Sequence, residues 1–349
     1  MDFIDFNGTR VAIHELDKYK PLNDNEAYIK EFIASWNKGI QQFKFQTSGS
    51  TGKPKTITIK KSQIEASAIA TINFLGLKKH TNALLCIKPQ FIGGTMMIVR
   101  SLINEMNLIV REPSSNPLKS IKEKIHFAAF VPLQIHELLK SAKPNLELIE
   151  KVIIGGAPLS ESDIKSVSLL KNKVYSTYGM TETVSHIALK QISPILDNYY
   201  RVLSNISVRQ DNRGCLIING AVTDNKDVIT NDVVSIISEN EFEWLGRHDN
   251  VINSGGIKIQ SEQLESKINT ILNEAGYSRS FFIAGLPDEK LGEKVVLLIE
   301  GEEVENHINE LLSNHLDKYE CPKEIFFIKQ FTLTESGKID KLTMVRKLG

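Results

Sequence analysis

Cysteine is scarce, with only Cys86, Cys215 and Cys321 in 349 residues. Their odd number and wide spacing argue against a disulfide framework, and without a CxxC pair they give no zinc-ligand pattern. A reducing, cytoplasmic compartment is expected. An excess of either charge is also lacking, since 42 Lys and Arg balance 42 Asp and Glu. No global basic bias therefore recruits nucleic acid or an anionic membrane. Long hydrophobic runs are missing too. Apolar stretches such as residues 96–99 fall far short of a membrane span. The start, Met1-Asp2-Phe3-Ile4-Asp5, has no basic segment followed by an apolar core, so no signal peptide is expected. There are no internal repeats and no low-complexity tracts. Hydrophobic content of 41% and charged content of 24% suit an ordinary globular protein. The length suits two or three domains rather than one core. Composition does not determine the oligomeric state.

The stretch that organises the chain is Thr47-Ser48-Gly49-Ser50-Thr51-Gly52-Lys53-Pro54-Lys55. Hydroxyls, glycines and lysines at this density suit neither helix nor strand. They suit a loop that wraps phosphate. Glycines let backbone N–H groups approach an anion, hydroxyls donate further bonds, and lysine adds positive charge. The spacing of Gly49 and Gly52 differs from the common P-loop. A polar surface loop is the plainer alternative for this stretch alone.

Before the loop, residues 28–36 read as a helix with Ile29, Phe32, Ile33 and Trp36 on one face. After it, residues 56–59 alternate like a strand. Ser62 and Glu65 form a capping-box pattern ahead of a helix carrying Ile64, Ala68, Ile72 and Leu75. Strands are predicted at 83–87, 108–110, 127–131, 151–154 and 174–177. Helices are predicted at 95–103, 132–139 and 160–170. This alternation implies an α/β fold with a mainly parallel sheet covered by helices on both faces. Ligands in such sheets sit beyond the carboxyl ends of the strands, where Gly155–Pro158 and Tyr178–Thr183 fall. Residues 200–245 read as a small antiparallel β subdomain, with strands at 202–208, 215–218, 233–237 and 242–245. A small α+β domain of about 100 residues follows the boundary at Gly246-Arg247-His248-Asp249. It has a Gly255-Gly256 turn, helices at 262–275 and 304–316, and strands at 281–284, 295–299 and 324–328.

Six motifs in this order resemble those of the adenylate-forming superfamily, which holds acyl-CoA synthetases, adenylation domains of peptide synthetases, and luciferases. They are the loop 47–55, Gly155-Gly156-Ala157-Pro158, Tyr178-Gly179-Met180-Thr181-Glu182-Thr183, Thr230-Asn231-Asp232, Gly246-Arg247-His248-Asp249 through Glu265, and Thr334-Glu335-Ser336-Gly337-Lys338-Ile339. The resemblance implies in-line attack of a carboxylate on the α-phosphorus of ATP. Catalysis of such a meeting of anions is mostly positioning and charge stabilisation. By resemblance, Ser48, Gly49, Ser50, Thr51, Gly52 and Lys53 hold the β- and γ-phosphates, with Thr47 opening the loop. Gly155, Gly156, Ala157 and Pro158 border the adenine, beside Tyr178 and Gly179. Thr181 contacts the α-phosphate and Glu182 holds Mg²⁺. Asp232 accepts bonds from the ribose hydroxyls and Arg247 supports the same region, although Asn231 replaces the family's usual glycine. Lys338 is the catalytic lysine, reaching the carboxylate and the α-phosphate. The resemblance further implies a large N-terminal adenylation domain, 1–246, and a small mobile C-terminal domain, 247–349. That domain rotates about Asp249 between adenylation and thioester formation with CoA, and Ser254–Lys258 then faces the thiol tunnel.

Three segments are similar to a narrower family, the o-succinylbenzoate–CoA ligases of menaquinone biosynthesis. They are residues 89–100, 131–134 and 181–190, and the stretch 253–259 adds to them. That substrate is an aromatic dicarboxylate, so the carboxylate that is not activated needs a cation or strong donors. Arg100 is the candidate cation, on a predicted helix whose other positions are apolar. Ser185 and His186 are candidate pocket residues, and Gly93, Gly94 and Thr95 are small enough to leave room for a ring. Other readings stay open: another aryl- or acyl-CoA ligase, an amino-acid-activating domain, or an inactive adenylate-binding protein. Residues 89–100 contain no acidic group to meet a substrate ammonium, which disfavours amino acids. Intact Glu182 and Lys338 disfavour an inactive protein. Only 46 residues precede the loop, fewer than the family usually has, so part of the N-terminal subdomain is expected to be missing or minimal. No carrier domain in cis is expected after Gly349.

Overall fold

Two sequence-distant charges fix the start of the fold. Strand β1 (Phe3–Phe6) pairs antiparallel with β2 (Thr9–Ala12), and its Asp5 is buried. The Arg111 guanidinium, 106 residues later and also buried, donates to the Asp5 carboxylate at 2.6 Å. The computed structural model that shows this describes residues 1–46, 56–119, 121–141, 143–277, 279–303, 307–333 and 339–348. Helix α1 (Asp24–Asn37) is capped by Asn23, whose side chain accepts from the Glu26 N–H, and it buries the expected apolar face. Strands β3 (Gln42–Gln46) and β4 (Thr56–Lys60) pair antiparallel, with Gln46 opposite Thr56. Residues 47–55 between them, which include Thr47, Ser48, Gly49, Ser50, Thr51, Gly52 and Lys53, lie outside the described residues, as does Lys338.

Helix α2 (Lys61–Leu75) begins two residues earlier than the Ser62–Glu65 capping box predicts. Gln63 caps instead, its side chain accepting from the Lys60 N–H at 3.0 Å. Then come β5 (Asn82–Leu85), α3 (Ile92–Ile103), β6 (Asn107–Val110), β7 (Phe127–Phe130), α4 (Pro132–Ser141), α5 (Lys143–Glu147), β8 (Lys151–Ile154), α6 (Glu161–Ser168) and β9 (Lys173–Gly179). Helix α3 starts before its predicted bound, so Gly93 and Gly94 lie within it. Strands β1, β6, β5, β7, β8 and β9 are side by side and parallel. They are nearly all apolar because helices cover both faces. Leu84, Ile109, Phe130, Ile135, Leu138, Val152 and Val167 belong to the resulting core. Strand β10 (His186–Ser193), which the sequence reading did not anticipate, turns back antiparallel on β9, and β11 (Tyr200–Val202) pairs with β10. The strand predicted at 202–208 is in fact two, β11 and β12 (Ile206–Gln210). Asn205 between them takes a left-handed φ of 62°, which ends the extended run.

Strands β13 (Cys215–Gly220), β14 (Val228–Ser238) and β15 (Glu241–Arg247) follow. The chain divides into two compact units. One comprises Met1–Arg209, Ile217–Val228 and Ile236–Glu243; the other comprises Gln210–Leu216, Ile229–Ser235 and Trp244–Gly349. The second unit contains the hairpin β16 (Val251–Ser254) and β17 (Ile257–Gln260), turned at Gly255 and Gly256, both at positive φ. It continues with α7 (Ser261–Glu274), β18 (Phe281–Asp288), β19 (Gly292–Glu300), α8 (His307–Ser313), β20 (Glu324–Ile328) and α9 (Lys341–Arg346). Strands β17, β16, β19 and β18 form a sheet in that order, with β20 parallel to β19. Its own core includes Ile252, Leu264, Ile268, Ile283, Leu297 and Leu312. Among the described residues, no helix is long and apolar enough to cross a membrane.

Candidate active site

In the first unit, the carboxyl ends of β8 and β9 carry two of the motifs. Gly155, Gly156, Ala157 and Pro158 follow β8, and the Gly155 N–H donates to the Phe130 carbonyl on β7. Tyr178 and Gly179 end β9. The Tyr178 ring lies between Tyr200 and Phe242, at centroid distances of 5.9 and 5.1 Å. Thr181 and Glu182 then occupy a short 3-10 turn, with Glu182 exposed. Thr183 holds this turn together. Its hydroxyl accepts from the Met180 N–H and approaches the Ser185 carbonyl at 2.8 Å.

Next, Val184 is buried at a φ of 68° and ψ of −53°. The Ser185 N–H donates to the Thr183 carbonyl at 2.8 Å, closing a three-residue turn of the strained hand. A β-branched residue there is a backbone outlier. The turn swings the chain directly into Ser185 and His186. Gly179 makes this possible, because a Cβ there would lie 2.2 Å from the Ser185 carbonyl oxygen and 2.4 Å from the His186 Cα.

Ser185 and His186 meet Arg100 of α3. Arg100 is only 1% exposed, and its Nη2 donates to the Ser185 hydroxyl at 3.3 Å. Its Nε has no partner, and no carboxylate pairs with it among the described residues. Burial alone pushes the guanidinium down to about 9, so it remains charged at neutral pH. His186 is buried, 3.4 Å from Ser185 through Nδ1 and 2.9 Å from the Thr71 hydroxyl through Nε2. Burial, and secondarily the Arg100 charge, hold its pKa well below the ordinary 6.5. The imidazole is therefore neutral at pH 7. Two further buried hydroxyls, Ser67 of α2 and Ser101 of α3, lack partners among the described residues. Gly93 and Gly94 sit in the first turn of α3. At Gly94 a Cβ would meet the Lys88 carbonyl oxygen at 2.3 Å, whereas at Gly93 it would make an ordinary 3.5 Å contact with Ile87.

The second unit holds a separate cluster. Asp232 is buried and accepts from the Trp244 indole N–H at 3.3 Å, and Arg247 stands 3.7 Å from the same oxygen. Arg247 also donates to Asp249 at 2.8 Å, which holds that carboxyl below its usual range. Asn231 donates to Asp249 at 3.1 Å and accepts from Arg213 at 3.0 Å. Arg100, Ser185 and His186 are thus brought together in one unit, and Asp232, Arg247 and Asp249 in the other. Thr71, Val184, Trp244 and Arg213 were not anticipated from sequence. Thr71 had a signal, since it lies on the same helical stripe as Ile64, Ala68 and Leu75.

Residues 45–210 match the family model described as AMP-binding enzyme. The 2-succinylbenzoate–CoA ligase of Staphylococcus epidermidis is 25% identical over 323 residues, covering 84% of this chain and 67% of that protein. The ligase of the same name from Staphylococcus aureus is 25% identical over 327 residues, with 86% and 66% covered. The chain thus spans about two thirds of the length of these relatives. Among solved structures, an acyl-CoA synthetase (AMP-forming)/AMP-acid ligase II-like protein from Dyadobacter fermentans is 39% identical. The match covers 96% of this chain and 97% of that one, with a TM-score of 0.65. The O-succinylbenzoate coenzyme A synthetase of Bacillus subtilis, in complex with ATP and magnesium ion, shares the fold at 20% identity and a TM-score of 0.75. That match covers 86% of this chain and 68% of the synthetase. With its motifs in order and a 39% identical structure matched nearly end to end, the chain belongs to the AMP-binding enzymes.

Proposed function

We propose that this enzyme is an AMP-forming acid–CoA ligase whose acid is o-succinylbenzoate. The observation that carries the choice of acid is Arg100, a buried cation with no carboxylate partner among the described residues. An unanswered charge in an apolar interior is costly, and a second substrate carboxylate would answer it. Ser185 and His186 add a hydroxyl and a neutral ring beside it. A monocarboxylate would leave the cation unmatched. The Staphylococcus ligases, named for this acid, support the same choice.

In the first step, a substrate carboxylate oxygen forms a bond to the α-phosphorus of ATP as the bond to pyrophosphate breaks. In the second, the sulfur of CoA attacks the acyl carbonyl, AMP leaves and the thiol proton is released. Thr47, Ser48, Gly49, Ser50, Thr51, Gly52 and Lys53 are proposed to cradle the phosphates, and Thr181 to touch the α-phosphate. Gly155, Gly156, Ala157, Pro158, Tyr178 and Gly179 would border the adenine, while Asp232 and Arg247 would serve the ribose. Lys338 would neutralise charge between the two anions. Glu182 would hold Mg²⁺, which when bound neutralises the phosphate oxygens. A single exposed carboxylate fits that ion, which keeps several waters and takes its other ligands from the nucleotide. Among the described residues no cluster of three ligating side chains competes for it. Asp249 is the proposed pivot between domains 1–246 and 247–349.

The test is pyrophosphate release with ATP and Mg²⁺ across o-succinylbenzoate, benzoate, a fatty acid and several amino acids, each with and without CoA. Release selective for o-succinylbenzoate, with thioester formed only when CoA is present, is expected. Selective release with another acid would overturn the pocket assignment and leave the ligase reading standing. Adenylate formation without any thioester would overturn the ligase reading.

A further inference from the structure

We infer that Thr71 of α2 is a positioning residue that fixes the tautomer of His186 and thereby holds the Ser185 hydroxyl beside Arg100 in the acid pocket. The inference rests on the acid-pocket reading above. It follows from counting protons along four contacts. The Thr71 hydroxyl has one proton and two neighbours, the Ser67 carbonyl at 3.1 Å and His186 Nε2 at 2.9 Å. A carbonyl can only accept, so a Thr71 proton spent there obliges Nε2 to carry the ring proton and donate to Thr71. Nδ1 is then a bare acceptor facing the Ser185 hydroxyl at 3.4 Å. Ser185 gives its proton to Nδ1 and accepts from Arg100 Nη2 at 3.3 Å. Every proton in the run from Arg100 through Ser185, His186 and Thr71 to the Ser67 carbonyl points the same way.

The opposite tautomer breaks this order. With the proton on Nδ1, Ser185 would face two donors, Arg100 and Nδ1, and its own proton would have no acceptor given by these contacts. The cationic side of the pocket would also face an N–H rather than a lone pair. Thr71, His186 and Arg100 are all buried, so water is not a ready substitute for a missing partner. An incoming carboxylate can pair with Arg100 while Ser185, donating to Nδ1 and accepting from Nη2, keeps the guanidinium in place. The strained turn at Val184 fixes Ser185 from the backbone side, and Thr71 fixes His186 from the side-chain side.

The test compares Thr71→Val, which keeps the shape and removes the hydroxyl, with Thr71→Ser, which restores the hydroxyl. Ring nitrogen shifts of His186, assigned by loss of its signals in His186→Gln, report the tautomer in ligand-free protein and need no knowledge of the acid. The expected wild-type signature is a neutral ring protonated at Nε2, kept in Thr71→Ser and lost or mixed in Thr71→Val. With the acid that supports turnover, Thr71→Val is expected to raise its KM about ten-fold, the size of one displaced hydrogen bond. The KM for ATP and kcat should change by less than about two-fold on the same scale, and Thr71→Ser should restore the acid KM. A wild-type ring protonated at Nδ1, or a Thr71→Val ring unchanged in tautomer, would overturn the inference. So would Thr71→Val with an unchanged acid KM. Because the tautomer is read without substrate, failure of the o-succinylbenzoate reading is distinguishable from failure of this one.

Discussion

Arg111 and Arg100 are the same residue in opposite circumstances. Both are buried, but Arg111 donates to Asp5 at 2.6 Å and Arg100 has no such partner among the described residues. Removing one member of a buried pair strands the other, so Asp5→Ala should cost about 3–5 kcal/mol. Arg100→Met removes that charge and should do the reverse, raising stability by about 1–4 kcal/mol while weakening selection of the proposed diacid. Thermal unfolding of both variants, with the acid KM of the second, checks this pair. An Arg100→Met protein less stable than wild type would show that Arg100 is already satisfied. His186 adds a pH dependence. Its folded pKa lies well below the unfolded value near 6.5, chiefly through burial. Below pH 6.5 the unfolded chain binds a proton that the folded one refuses. The stability tied to a neutral His186 is thus complete above 6.5 and lost as pH falls toward the folded pKa. His186→Gln should flatten that part of the curve of melting temperature against pH. An unchanged acid limb would place the sensitivity elsewhere.

Glycines on two elements make separable predictions. At Gly179 of β9 a methyl would strike the backbone of Ser185 and His186. Gly179→Ala should therefore cost about 1–3 kcal/mol and displace Ser185 and His186 of the proposed acid pocket together with β10. At Gly93 of α3 the same methyl meets only Ile87 at ordinary contact distance. Gly93→Ala should keep the fold and gain up to about 1 kcal/mol from helix propensity. If Gly93 leaves room for the substrate ring, its acid KM should rise although the protein is more stable. Unfolding curves and acid kinetics of the two variants separate these effects. Elements of this kind were unevenly legible in the sequence. The parallel strands β5 to β8 read clearly because burial on both faces makes them continuous apolar runs. The β1–β2 hairpin did not, because Asp5 looks like a surface residue until Arg111 arrives from a distant part of the chain. Strand β10 was hidden for a related reason. It opens with His186 and carries Lys190 and Gln191, and its register on β9 shifts twice.

At the scale of the whole molecule, the sequence motifs and the folded units carry different information. Order along the chain identified the family, yet order alone cannot pair Arg213 with Asn231 or Thr71 with His186. Those contacts depend on tertiary approach across 18 and 115 residues. The phosphate loop and Lys338 remain arguments from motif and chemistry. The chemistry nevertheless separates their duties. Adenylation brings a carboxylate up to a polyphosphate, so a cation between the two anions stabilises the transition state directly. Thiolysis brings sulfur to a carbonyl already activated by its adenylate, and no second anion has to approach the phosphate. Lys338→Ala should therefore lower pyrophosphate release by about 10²–10³-fold, the size of one lost electrostatic contact. Thioester formation from supplied acyl-adenylate and CoA should fall by less than about ten-fold. Single-turnover measurement of each half-reaction with the same preparation gives the comparison. Equal losses in both would mean that Lys338 serves one arrangement of the molecule throughout, and the separate-duty reading of the two steps would be abandoned.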